Sequence, residues 1–255
     1  MIEDALAPLG GEFGPNVAWN ITAERQDRHD DLIGAAVVEH RVPGMPLHLD
    51  RGTEREVLQA LALGFTSVMF DGDVLSSEEN ICVTKRLREA AHSVGASMEA
   101  EVGEVPKPDG KEFDEAAIDL TQPEEAAQFA ETTGIDTLAV ALGSVHGLKT
   151  KQISLDLECL SAIRKCVSIP LVLHGSSGVS DNDIKQGIAL GLCKVNVATQ
   201  LNRAFTEAIR NVLDRDNELV DPRKYLTPGR SAQMEIVRER IRFFEASGKA
   251  RQTQL

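Results

Sequence analysis

The chain has 255 residues, 42% hydrophobic and 26% charged. That suits one large α/β domain and excludes a disordered chain. Its 27 Lys and Arg stand against 40 Asp and Glu, a net charge of −13, which excludes nucleic acid and anionic membrane as general partners. An anionic ligand would need local positive charge or aimed N–H groups. Four cysteines, Cys82, Cys159, Cys166 and Cys193, lack CxxC spacing and read as free thiols of a reducing compartment. The acidic start Met1-Ile2-Glu3-Asp4 has no apolar leader, and no run approaches membrane-spanning length. A soluble, cytoplasmic protein is expected.

Residues 1–15 carry Pro8, Gly10, Gly11, Gly14 and Pro15 and read as an irregular lead-in. Residues 16–21 make a first strand, and 32–39 have helical composition. From there a regular alternation takes over. Strands are expected at 45–50, 66–71, 96–102, 137–143, 170–175 and 194–199. Helices fill the intervals: 53–63 opening on a Thr-Glu-Arg-Glu capping box and stopped by Gly64, then 77–93, 124–132, 155–166 and 181–190. Pro123 precedes the third of these and Ser180 caps the last. After 199 come a helix at 201–213, the segment DPRKYLTPGR, and a last helix near 231–246. No internal repeat or linker divides residues 1–255, so one domain is expected.

Repeated strand–helix units mean parallel strands joined by right-handed crossovers. Polar and ionisable residues gather where strands end: Asp50, Asp71, Glu101, His146, His174 and Asn196. That edge carries the active site of a barrel, and no early G-x-G-x-x-G points to a doubly wound sheet, so a TIM (β/α)8-type barrel is favoured. Only seven strands are found, however, so one N-terminal β/α unit is lacking or merged.

Several constellations could carry chemistry. The stretch PLVLHGSSG (170–178) is a buried strand ending in His174 and a glycine turn, Gly175-Ser176-Ser177-Gly178. A metal-type ligand beside an anion-type turn suits a phosphorylated ligand, and a plain polar strand-to-helix turn stays open as the other reading. LGSVHG repeats the pattern with His146 and Gly147. His48 and Asp50 alternate onto one face, and so do Glu99 and Glu101. Two acids on an interior face need a metal, a cation or donors. KVNVAT (194–199) brings Asn196, Val197, Ala198 and Thr199 to a helix N-terminus, a common phosphate position in barrels. His29, His40 and His92 read as ordinary histidines. No lysine stands out as a barrel-interior amine.

In order and spacing, HLD, SVMFDGD, MEAEVGEV, LAVALGSVHG, PLVLHGSSGV, KVNVATQL and DPRKYLTPGR resemble the class II, metal-dependent ketose-bisphosphate aldolases. The resemblance runs from His48 to about Gly248. It implies a barrel, usually a homodimer or homotetramer, that cleaves a ketose bisphosphate or joins dihydroxyacetone phosphate to an aldehyde. It implies Zn2+ held by His146 and His174, with Glu101 able to join them, and Asp50 as the catalytic acid/base. It implies that Gly147, Gly175, Ser176 and Ser177, with Asn196, Val197, Ala198 and Thr199, hold the sugar phosphate.

Three features depart from the family pattern. The family's HLDH ends in a zinc-ligating histidine, where this chain has Arg51, whose guanidinium stays protonated and has no lone pair for a metal. Arg51 could instead serve as a fixed cation, and a catalytically impaired protein that keeps the sugar-phosphate pocket is the alternative to a working lyase. The N-terminal part, 1–44, is shortened. The glycine-rich loop after the EAE segment is replaced by VPKPDG, with Glu104 and Glu112 the nearest acids.

Overall fold

The computed structural model describes residues 19–22, 46–103, 105–106, 120–145 and 153–247. The expected helix at 32–39, His146, Gly147, Glu104 and Glu112 fall outside the described residues.

Residues Ala18–Asn196 form one compact unit. Its strands are β1 (Trp19–Thr22), β2 (Leu47–Gly52), β3 (Ser67–Phe70), β4 (Ser97–Val102), β5 (Thr137–Val140), β6 (Leu171–Leu173) and β7 (Leu192–Val195). They form one sheet in chain order, and every neighbouring pair is parallel. The described crossovers carry α1 (Glu54–Ala62), α2 (Ser77–Ser93), α3 (Pro123–Thr133), α4 (Leu157–Cys166) and α5 (Asp181–Ala189). This is the parallel β/α arrangement of a TIM-type fold.

Local signals explain where the elements begin and stop. Thr53 caps α1: its hydroxyl accepts from Glu56 N at 3.4 Å while Thr53 N donates to Glu56 Oε2 at 2.7 Å. Ser76 and Glu79 repeat this box at α2, and such a cap contributes about 1 kcal/mol. Ser180 caps α5 as expected. Gly134 ends α3 in the left-handed conformation at φ 65°, where a side chain would cost energy.

The register sorts side chains onto two faces. Glu99 pairs with Met69 and Thr137, Glu101 with Ala139, Ala139 with Val172, and Val172 with Lys194. Met69, Ala139 and Val172 are fully buried and pack together on the same face as Glu99 and Glu101. The sheet curls around that face. β2 and β7 are five strand spacings apart, roughly 24 Å in a flat sheet, yet Asn196 Nδ2 donates to Asp50 Oδ2 at 3.2 Å.

Two expected boundaries are corrected. The last strand is β7, Leu192–Val195, and not 194–199: the chain leaves the ladder at Asn196, whose N–H still reaches Leu173 O at 3.1 Å. The C-terminal helix is one piece, α7 (Pro222–Phe243), with Pro228 inside it. DPRKYLTPGR read as a break because proline removes a helix N–H. Asp221 instead caps a helix opening on Pro222.

The described residues from Val197 onward belong to a second compact unit. Its described part holds α6 (Thr199–Leu213) and α7. Gly229 of α7 lies against Phe205 and Ile209, where an added Cβ would meet ring and side-chain carbons at 3.0 Å. That close approach calls for glycine at this position. Among the described residues no helix is long and apolar enough to cross a membrane, and all four cysteines are free thiols.

Candidate functional site

The site is built at the ends of β2, β4, β6 and β7. Its unusual element is the end of β2. The register between β2 and β3 shifts between Leu49 and Gly52, and Arg51 sits in the left-handed region at φ 62°. Consecutive residues of a regular strand face opposite ways. Here the irregularity lets Asp50 and Arg51 both reach one cluster. Non-glycine residues at positive φ are strained by about 1 kcal/mol or more, so the surroundings of Arg51 must hold it there.

Its contacts do so. Arg51 Nη2 donates to Glu101 Oε1 at 2.7 Å and Oε2 at 2.8 Å, Nη1 to Asp71 Oδ2 at 3.1 Å, and Nε to His174 Nδ1 at 3.4 Å. The Arg51 side chain is only 7% exposed and that of Glu101 3%.

A second layer surrounds Glu99. His174 Nε2 lies 3.0 Å from Glu99 Oε1, and Lys194 Nζ lies 3.2 Å from Oε1 and 3.1 Å from Oε2. Thr137 Oγ1 donates to Glu99 Oε2 at 3.3 Å. Lys194 also donates to Asn196 Oδ1 at 2.6 Å, which turns the Asn196 amide nitrogen toward Asp50 and, at 3.1 Å, toward His174 Nε2. A proton on His174 Nε2 serves Glu99 and leaves Nδ1 as the acceptor for Arg51 Nε, so the approach of Asn196 Nδ2 to Nε2 is a close contact and not a hydrogen bond. Asp50 is 8% exposed, and its Oδ1 has no hydrogen-bond partner among the described residues.

Electrostatics follow from this burial. Burial would raise the Glu99 carboxyl, but Lys194 and the His174 hydrogen bond outweigh it and hold Glu99 well below the usual carboxylate range. Burial, with Lys194 next, lowers the His48 imidazole from 6.5 to about 4. His48 is therefore neutral at pH 7, its Nδ1 2.7 Å from Ser67 Oγ and its Nε2 3.9 Å from Glu99 Oε2. Burial pushes Glu101 up, against the pull of His174 and Arg51. Burial would lower Arg51, but Glu101, Asp71 and Asp50 raise it, so it stays a cation.

The glycine turn after β6 lies beside this cluster. Gly175 is left-handed at φ 66°, and a Cβ there would come within 2.9 Å of Val145 C. Only glycine fits that approach. Ser176 Oγ donates to Asn196 O at 2.5 Å, tying the turn to the exit of β7.

The structure thus brings together Asp50, Glu101, His174, Gly175, Ser176 and Asn196 of the residues read from sequence; Ser177 lies in the same turn as Ser176. His146 and Gly147 lie outside the described residues. Val197, Ala198 and Thr199 start the second unit, with Ala198 at the cap position of α6 and Thr199 its first residue. Lys194 is the residue the sequence reading missed. The signal was present: Lys194 is two residues before Asn196, so a strand placing one on the interior face places both there. His92 is an ordinary surface histidine, 2.9 Å from Asp136.

The donors present at β2, β4 and β6 do not fit a zinc ion. Zinc takes a tetrahedral set of lone pairs at about 2.0–2.2 Å from nitrogen and oxygen. Both Glu101 oxygens are engaged by Arg51, and His174 Nδ1 faces Arg51 Nε. No group of three or more metal-type side chains assembles among the described residues.

Comparison with known proteins places this geometry. The family model for class-II fructose-bisphosphate aldolase matches residues 20–249. Among solved structures, the YdjI aldolase from Escherichia coli K12 is 30% identical, with a TM-score of 0.78 over 98% of this chain and 87% of that one. The fructose-bisphosphate aldolase of Campylobacter jejuni shares the fold at 21% identity, with a TM-score of 0.76 over 97% of this chain and 86% of that one.

Proposed function

Because this chain belongs to the class-II fructose-bisphosphate aldolase family, we propose that it is an aldolase-type carbon–carbon lyase whose substrate is a phosphorylated ketose. One observation carries the reading. Asp50 is buried with Oδ2 held by Asn196 and Oδ1 without a hydrogen-bond partner among the described residues. A buried carboxylate oxygen left open at a strand end is suited to take a hydroxyl proton from a substrate.

Cleavage then runs as a retro-aldol step. Asp50 Oδ1 takes the proton of the hydroxyl next to the scissile bond. The O–H electron pair forms the aldehyde carbonyl, and the carbon–carbon pair moves onto the ketose carbonyl as an enediolate. Asn196 keeps Asp50 oriented, and Lys194 keeps Asn196 oriented. The Gly175-Ser176-Ser177 turn is the element suited to the phosphate, because a left-handed glycine followed by a tight turn points successive N–H groups one way. Zinc supplies the electron-withdrawing pull in this family as a rule, but the donor set among the described residues does not fit it, so no step is routed through a metal.

A second reading, sugar-phosphate binding without turnover, is favoured by charge. Arg51 and Lys194 are paired with Asp71, Glu99 and Glu101, and the Asp50 charge acts on Arg51 as well. Two fixed cations against four acids leave little uncompensated positive charge for an enediolate. By kinship we also take the sheet as part of an eight-stranded barrel and the protein as a cytoplasmic homodimer or homotetramer. The test is an assay of fructose and tagatose bisphosphate cleavage with wild type and Asp50→Asn. Turnover lost in the variant supports the lyase. Saturable binding of the bisphosphate without turnover supports the second reading.

A further inference from the structure

We infer that Arg51 occupies the position a catalytic metal would take, so that the pocket carries its positive charge in the chain and works without a divalent cation. This deepens the reading above and rests on it for the identity of the pocket.

The argument begins with the backbone. Arg51 stands at φ 62° on an irregular strand end, next to Asp50. Without that irregularity alternation would send its side chain away from the face that carries Asp50. The strain is therefore tied to placing a cation inside the site.

The second step is what the guanidinium touches. An imidazole nitrogen and two carboxylates on three different strand ends are the groups that would gather around a metal. Each lies within hydrogen-bond distance of Arg51: His174 Nδ1 at 3.4 Å, Glu101 at 2.7 and 2.8 Å, Asp71 at 3.1 Å. The set is satisfied by one planar, delocalised cation. A divalent ion sharing the same groups would have to sit within a few ångströms of that charge. It would also have to take lone pairs that already accept N–H donors. Lysine or histidine could vacate by losing a proton, but arginine cannot.

The third step is burial. A guanidinium 7% exposed between acids 3% and 15% exposed does not swing out to solvent without leaving those carboxylates unpaired. Breaking such a pair is strongly unfavourable. The replacement changes what the site offers a substrate. A metal binds two oxygens of a ketose directly. A guanidinium offers N–H donors to a developing oxyanion, a charge-assisted hydrogen bond. The ligand class remains a phosphorylated ketose, held by hydrogen bonds and not by chelation.

Cobalt(II) titration followed by visible absorption is the experiment, because Co2+ in a tetrahedral protein site gives intense bands that loosely held surface ions do not. Wild type and Arg51→His are titrated as full-length protein, and dihydroxyacetone phosphate binding in chelator is measured in parallel by calorimetry. The inference expects no tetrahedral bands from wild type. It expects Arg51→His to take up one Co2+ per chain, at least roughly a hundredfold tighter than wild type, since even a group that only supports a metal ligand contributes up to that much. Intense bands from wild type at one equivalent would overturn it, and so would a folded Arg51→His that gains nothing. If that variant melts early, the wild-type titration decides alone. Failure of wild type to bind dihydroxyacetone phosphate, with the cobalt results as expected, would sink the proposed substrate class and leave the metal-free site standing.

Discussion

Arg51 grips Glu101 through a single nitrogen, Nη2, which lies 2.7 Å from one carboxylate oxygen and 2.8 Å from the other. The pair bridges the ends of β2 and β4. Both partners are nearly excluded from water, so removing one leaves the other as an uncompensated buried charge. Arg51→Met should cost about 3–5 kcal/mol, and Arg51→Met with Glu101→Gln should recover part of that. Urea denaturation of the two variants checks it. Equal destabilisation in the single and double variants would show that Glu101 finds another partner.

Lys194→Met should destabilise by about 3 kcal/mol. It leaves Glu99 buried beside His174 and frees the Asn196 amide, whose oxygen it holds at 2.6 Å. Because that amide orients Asp50, turnover should fall more than the loss of stability explains. Comparing kcat at a temperature where both proteins are fully folded separates the two effects.

Much of this arrangement was legible in the chain. The β/α alternation, the capping box at Thr53, the Ser180 cap and the shared face of Glu99 with Glu101 follow from local pattern. Arg51 stood out as a cation where a ligand was expected. Its direction was not legible, because strand alternation says Asp50 and Arg51 face apart, and only the register shift between β2 and β3 reverses that. Lys194 was passed over although it alternates with Asn196 in the expected strand 194–199, because no lysine was read as an interior amine. The helix across Pro228 was hidden because local propensity breaks it at Pro-Gly, whereas the packing of Gly229 against Phe205 and Ile209 is a tertiary contact that propensity does not contain.

Acid should weaken the fold through His48. Its folded pKa of about 4 lies below the unfolded 6.5, so the unfolded chain binds the proton first as pH falls. Stability from this group is complete above pH 6.5 and is lost as pH drops toward 4, by about 3 kcal/mol in total. Glu99, whose folded pKa is depressed, acts in the same direction at lower pH, below the unfolded carboxylate range. His48→Gln should flatten the slope between pH 6.5 and 4.5 in denaturation curves. An unchanged slope would assign the acid sensitivity elsewhere.

Gly175→Ala should cost roughly 1–3 kcal/mol. The new Cβ would meet the Val145 backbone at 2.9 Å and force a left-handed alanine. Ser176→Ala, which removes only the bond to Asn196 O, should cost about 1 kcal/mol. Thermal melts rank the two. Gly175→Ala should also weaken sugar-phosphate binding more than Ser176→Ala does, since it displaces the turn itself.

The most direct test of the pocket is calorimetric titration of wild type with dihydroxyacetone phosphate in excess chelator. The account predicts saturable binding at one site per chain, unaffected by the chelator and weakened by Gly175→Ala. No saturable binding to wild type, with or without added metal, would contradict it.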